Sequence, residues 1–240
     1  SPTLPTPPTA NARWQRPGEG PSCSRWLGME RPALLAALLL PGCAAPGLFF
    51  SAAAEGSSHN KYLELFNPTC APVALDGFMA RKVSNGGDEW EYDMEFTSGA
   101  QIPAGGTWVV CDPRADASVR AHCDQEYGYL SNGDDAFGLV QRSDQQVLDV
   151  IGELGDDPGA GWAVAGIEEA TKDHTIVRKQ GVDAGNRGRW APSAGSNEAD
   201  SEWTVLDRDT WWPVVERACE AGCRVGDCVG APPGPPPPPP

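Results

Sequence analysis

Residues 48–69 read LFFSAAAEGSSHNKYLELFNPT, two short apolar runs flanking a tract of turn-forming residues. Each run is too short for an ordinary helix. Gly56, Ser57, Ser58, His59 and Asn60 hydrogen-bond locally or tolerate unusual backbone angles, so the segment predicts a β-hairpin. The pattern then repeats, with β-type runs at 61–67, 77–83, 89–96, 108–111, 136–141, 146–151, 161–164, 174–179 and 203–206. Asp76-Gly77, Asn85-Gly86-Gly87, Ser131-Asn132-Gly133-Asp134 and Asp156-Asp157-Pro158-Gly159 stand between them as strong turn signals. Many short strands with frequent turns predict an all-β sandwich or barrel.

Alternation supports that expectation. Leu63 and Leu65 share one face of their run and Glu64 takes the other, an arrangement repeated by Phe137 and Leu139. One face is expected to be core and the other wetter. A short helix is expected over 115–121, after Asp112-Pro113. The polar, Gly-rich stretch 183–201 reads as a long loop.

Outside this region the composition shifts. Residues 1–28 read as upstream, unstructured sequence. Met29 opens a charged start, followed by an apolar run at 33–40 and small residues at Ala44 and Ala45, so 29–46 reads as a secretory signal peptide. A buried core helix is the alternative. The run is far shorter than the roughly 20 residues of a membrane span, so no span is expected. The ordered domain is expected over 47–212, followed by a cysteine-bearing extension at 213–230. In the linker 231–240, eight of the nine residues from 232 onward are proline, which favours a stiff polyproline II spacer towards a further region.

Six cysteines follow the signal: Cys70, Cys111, Cys123, Cys219, Cys223 and Cys228. An even count in an oxidising compartment predicts disulfides, with 15 pairings open. Cys111 with Cys123 is preferred, since the segment between can fold back through the short helix. Cys219, Cys223 and Cys228 resemble a small terminal knot. Beyond residue 46 there are 14 Lys and Arg against 31 Asp and Glu, a formal net charge of −17. That balance disfavours binding to a phosphate backbone, which rewards clustered cations. Arg81-Lys82, Arg178-Lys179 and Arg187-Gly188-Arg189 read as solvated strand ends, although a locally basic face is compatible with the global sign.

Taken in order, LFFSAAAEGSSHNKYLELFNPT, VALDGFMARKVSNGG, IPAGGTWVVCD, YLSNGDDAFGLV, VLDVIGELGDDPGAGWAV, DHTIVRK and EWTVLDRDTW resemble the lamin-tail domain. That family is an immunoglobulin-like β-sandwich of nuclear lamins and of many secreted bacterial and algal proteins. The resemblance spans about residues 48–212 and is closer to the secreted members, because no coiled-coil heptads precede it. It implies an all-β, immunoglobulin-like sandwich with disordered or Pro-rich tails, and it transfers no catalytic residues. Two departures stand out. Ala52 and Ala53 lie where secreted members usually carry a Glu-Tyr pair, and Gly138 sits inside a strand.

Few residues suggest chemistry. Asp134, Asp135, Asp156 and Asp157 are the calcium candidates, since calcium takes carboxylate and carbonyl oxygens; turn chemistry is the competing account, and no EF-hand loop is present. Glu55 and Glu64 read as hairpin hydrogen-bond partners. His59, His122 and His174 lie outside any catalytic motif. Trp90, Trp211 and Trp212 are candidates for a binding surface, whereas Trp108, Trp162 and Trp203 read as packing. The expected function is a noncatalytic binding or anchoring module of a secreted or cell-surface protein, with no cofactor unless calcium. Its partner would be a protein or an extracellular polymer. The alternatives are a loop-borne hydrolase, with Ser, His and Asp converging around His174 or His122, and a calcium-stabilised adhesion domain.

Overall fold

A computed structural model of the chain describes residues 47–69 and 71–211. The expectations for 1–28, 29–46, Cys70, Trp212, Cys219, Cys223, Cys228 and the segment 213–240 lie outside them. Twelve strands are described: β1 (Phe49–Glu55), β2 (Lys61–Phe66), β3 (Val73–Ala74), β4 (Phe78–Val83), β5 (Tyr92–Met94), β6 (Gln101–Ile102), β7 (Thr107–Cys111), β8 (Gln125–Glu126), β9 (Ala136–Gln141), β10 (Val147–Ile151), β11 (His174–Arg178) and β12 (Trp203–Asp207). With them come only a 3-10 turn at Leu75–Gly77 and two short helices, α1 (Ala117–Arg120) and α2 (Trp190–Ala194). The fold is all-β.

The strands form a six-stranded sheet in the order β12-β11-β1-β2-β7-β8, a four-stranded sheet β10-β9-β4-β5, and the pair β3-β6. β1 and β2 make the expected antiparallel hairpin, from Phe49 opposite Phe66 to Glu55 opposite Lys61. Both larger sheets feed one apolar core, through Phe50, Leu63, Leu65 and Ile176 on one side and Ala80, Leu139 and Val150 on the other.

The outer face of β2 is not wet as expected. Tyr62 is buried with Ala52, Ala54, Val109, Cys111 and Val177 in a second apolar cluster, which Ala115 and Val119 cover. The disulfide expected between Cys111 and Cys123 is present, with Cα atoms 5.9 Å apart, and it ties α1 over this face. Two other expectations shift. The run 89–96 is a strand only at Tyr92–Met94, because Trp90 turns onto the core instead. A Cβ on Gly138 would stand 2.6 Å from the Trp90 ring, so the glycine within β9 makes room for an indole. Residues 161–164 form no strand, only an isolated bridge from Val164 to Ile167. There Ala165 and Gly166 both take positive φ and fold the chain back on itself. The expected loop 183–201 contains α2, whose Trp190 is buried between Trp162 and Trp203, with ring centroids 6.5 and 6.1 Å away.

A buried ion cluster joins the two sheets. Arg178 on β11 donates to both Asp149 oxygens on β10 at 2.9 and 3.0 Å, and both side chains are fully buried. Asp149 also accepts from the Phe50 and Asn186 amides, each at 2.8 Å. The Arg178 guanidinium lies over the Trp203 ring at 4.2 Å and donates to Glu202 at 3.0 Å. Burying a charge is costly unless it is paired and hydrogen-bonded; here burial still pushes the Asp149 carboxyl above its ordinary range, with the Arg178 charge and the amide hydrogen bonds opposing it.

Candidate functional site

At the end of the β1–β2 hairpin the chain turns through Ser57–Asn60, with the Asn60 amide donating to the Ser57 carbonyl at 3.0 Å and Ser58 at φ 59°. The turn is fastened to α1. Asn60 donates through Nδ2 to Asp116 at 2.9 Å and accepts from the Asp116 amide at 2.8 Å. Between this turn, the end of β7 and the β8–β9 loop lies a cleft of about 330 Å³ lined by Ser58, His59, Lys61, Lys82, Asp112, Arg114, Gly128, Tyr129, Leu130 and Asn132. That volume lies in the range of small-ligand sites. A neighbouring hollow of about 30 Å³, beside Ala53, Asp135 and Thr171, has room for about one water.

Each cation of the cleft is held by a partner. Lys61 is only 5% exposed; its Nζ meets Glu55 at 2.9 Å, the Ser131 carbonyl at 2.9 Å and Asn132 Oδ1 at 2.6 Å. Lys82, 8% exposed, meets Asp135 at 2.6 Å and the Tyr129 carbonyl at 3.2 Å, with the Tyr92 ring 5.6 Å away. Lysine is rarely this buried without such pairing. Arg114 is gripped along one edge: Nε and Nη2 donate to the two Asp112 oxygens at 2.9 and 2.6 Å, and Nη2 also reaches the Gly128 carbonyl at 3.1 Å. Burial opposes ionisation of Asp112, yet the Arg114 side-chain and backbone hydrogen bonds, with the Arg114 and His59 charges, outweigh it and hold the carboxyl below its ordinary range. His59 Nδ1 stands 3.7 Å from Asp112 Oδ2, an electrostatic contact rather than a hydrogen bond.

Of the residues named from sequence, His59 and Lys82 line the cleft. Asp135 lines the neighbouring hollow, spent on Lys82. Asp157 accepts from the Gly159 amide at 2.8 Å as a turn residue; Asp134 and Asp156 do not line the cleft. Among the described residues no three His, Cys, Asp or Glu side chains converge to hold a metal ion. Glu55 and Glu64 act within the hairpin as expected, Glu64 accepting from Ser51 at 2.6 Å. His174 opens β11 with Nδ1 2.7 Å from the Lys172 carbonyl, and His122 follows α1; neither lines the cleft. Trp90 packs on the core, and Trp211 lies edge-on to Tyr62 with centroids 6.2 Å apart.

Lys82 corrects the expectation of a solvated strand end, and a sequence signal existed for it. Lys61 is in phase with Leu63 and Leu65, and Lys82 with Ala80, so each occupies a core-facing position at a strand end. Their partners share that phase, Glu55 with Ala53 and Asp135 with Phe137 and Leu139. A charged residue in core register requires a partner, and two such pairs at one end of the strands mark the site.

No protein-family model matches the chain, and no curated protein matches it. Among the described residues no helix is long and apolar enough to cross a membrane.

Proposed function

We propose that the domain is an immunoglobulin-like sandwich of lamin-tail type that serves as a noncatalytic binding or anchoring module in a secreted or cell-surface protein, tethering or targeting an adjoining region. The observation that carries this reading is the state of the cleft's ionisable groups. Lys61, Lys82 and Arg114 are braced by carboxylates, and both Asp112 oxygens are taken by Arg114, so that carboxylate serves to orient a cation. General acid–base or nucleophilic catalysis needs a nucleophile within hydrogen-bond reach of a base, whereas bracing suits a surface that holds a ligand in place. Two sheets feeding one core favour the sandwich, and the Cys111–Cys123 disulfide favours an oxidising compartment.

The loop-borne hydrolase has one observation in its favour. Ser58, His59 and Asp112 line the same cleft, around His59 rather than His174 or His122. The 240-residue chain and its His59→Ala variant should be incubated with chromogenic esters, phosphate esters and glycosides. The binding-module reading expects no turnover that distinguishes the two proteins; turnover abolished by His59→Ala would replace it with the hydrolase.

A further inference from the structure

We propose that the cleft is a subsite for an oxyanion carried on a small organic ligand, a carboxylate or a phosphate group, with Arg114 as its principal anchor. The proposal rests on the binding-module reading and gives that module a ligand class.

The argument starts from donors left over once every internal partner is counted. The Arg114 guanidinium carries five N–H donors. Asp112 and Gly128 engage only Nε and Nη2, which leaves Nη1 open on a side chain 56% exposed. An arginine held by a carboxylate and a carbonyl keeps its two Nη1 N–H groups in place with little loss of rotamer freedom, ready to donate to an oxyanion. Lys82 Nζ has three donors and spends two, on Asp135 and on the Tyr129 carbonyl. Asn132 accepts from Lys61 through Oδ1, which fixes the amide and leaves Nδ2 facing no protein acceptor. His59 Nε2 is likewise uncommitted, while Nδ1 is drawn towards Asp112.

The lining is rich in donors. Among the described residues Lys61, Lys82, Arg114 and His59 border the cleft with Asp112 as the only carboxylate; Glu55 and Asp135, which pair with the two lysines, border the neighbouring hollow instead. In a chain of net charge −15 such a concave group of donors is local and selective. With each cation matched by a carboxylate, a small anion is held by the uncommitted N–H donors rather than by net positive charge, whereas a long polyanion would meet the acidic surface around it. Tyr129, 70% exposed on the cleft wall, offers a ring face against which the organic part can lie.

The test is a nitrogen-15 NMR titration of the full chain with glucuronate, glucose 6-phosphate, inorganic phosphate and neutral glucose. Saturable shifts at Asn132, Tyr129 and the Arg114 side chain are expected with one or both sugar anions, and whichever binds more tightly identifies the group as carboxylate or phosphate. Glucose should leave these resonances in place, and inorganic phosphate should bind more weakly because it forgoes the Tyr129 face. Arg114→Gln should weaken binding about tenfold or more, the worth of a charge-assisted hydrogen bond. Since Arg114 also braces Asp112, Tyr129→Ser serves as a second variant at an exposed position, and it should erase the preference for sugar anions over inorganic phosphate. No shift with any anion, equal shifts with glucose, or undiminished affinity in Arg114→Gln would each overturn the oxyanion subsite while leaving the module reading intact. Conversion of any probe to product would instead overturn the module reading, whatever the affinity.

Discussion

A glycine inside a strand forfeits packing surface and costs backbone entropy, yet Gly138 is where the Trp90 indole enters the core. Sequence alone shows the vacancy without its occupant, because the two residues lie on different segments. Gly138→Val would drive two methyl groups into that ring, and overpacking of this kind costs about 1–3 kcal/mol. Urea unfolding should place the variant's midpoint below the parent's; an unchanged midpoint would mean Trp90 is not held there. Asp112 makes a second residue-scale prediction. Its folded-state acidity is strengthened, so its contribution to stability is complete above the unfolded carboxyl value near 4 and disappears as pH falls through the lower folded value. From about pH 4 downward the parent should lose stability more steeply than Asp112→Asn, which has no such proton to gain. Parallel pH curves for the two proteins would refute the assignment.

Elements whose signals are local were legible in the sequence. The β1–β2 hairpin follows from the turn tract, and α1 with its disulfide follows from Asp112-Pro113 and the cysteine spacing. The two-residue strands β3, β6 and β8 were not legible, since at that length only the partner strand makes a strand. Neither was α2, whose five residues lie in a polar stretch and are held by Trp190 against two distant tryptophans. The cleft was half legible: the cysteine-anchored turn and the hairpin that border it could be placed, but the pairings of Lys61 and Lys82 join different strands and loops. α1 and the disulfide cover the second apolar cluster together. Closing a loop of this size removes entropy from the unfolded chain, which stabilises the fold by about 3 kcal/mol on the chain-entropy account. Replacing Cys111 and Cys123 by alanine should therefore lower Tm by roughly 6–12 °C for a domain of this size. A Tm within a degree of the parent would show that the outer cluster holds α1 by packing alone.

At the scale of the molecule, an acidic chain holds its buried charges in pairs at two places with different jobs. At the cleft the pairs leave donors uncommitted; at the other place the Arg178–Asp149 pair and the Phe50 amide are buried contacts that span the two sheets. The second arrangement acts as a fastener. β1 carries a register shift between Phe50 and Ala52, and β10 one between Val147 and Asp149, so both strands depart from regular pairing where Asp149 meets the Phe50 amide. Removing Arg178 leaves Asp149 without a cation between the sheets, and removing Asp149 leaves Arg178 with the Glu202 carboxylate alone; breaking a buried pair in this way costs about 3–5 kcal/mol. Arg178→Met and Asp149→Asn should each lose about that much in chemical denaturation. The double variant should lose far less than the two singles combined, because the second substitution removes the stranded charge that the first creates. Strict additivity across that double-mutant cycle would mean that the two side chains act independently and that apolar packing alone holds the sheets together.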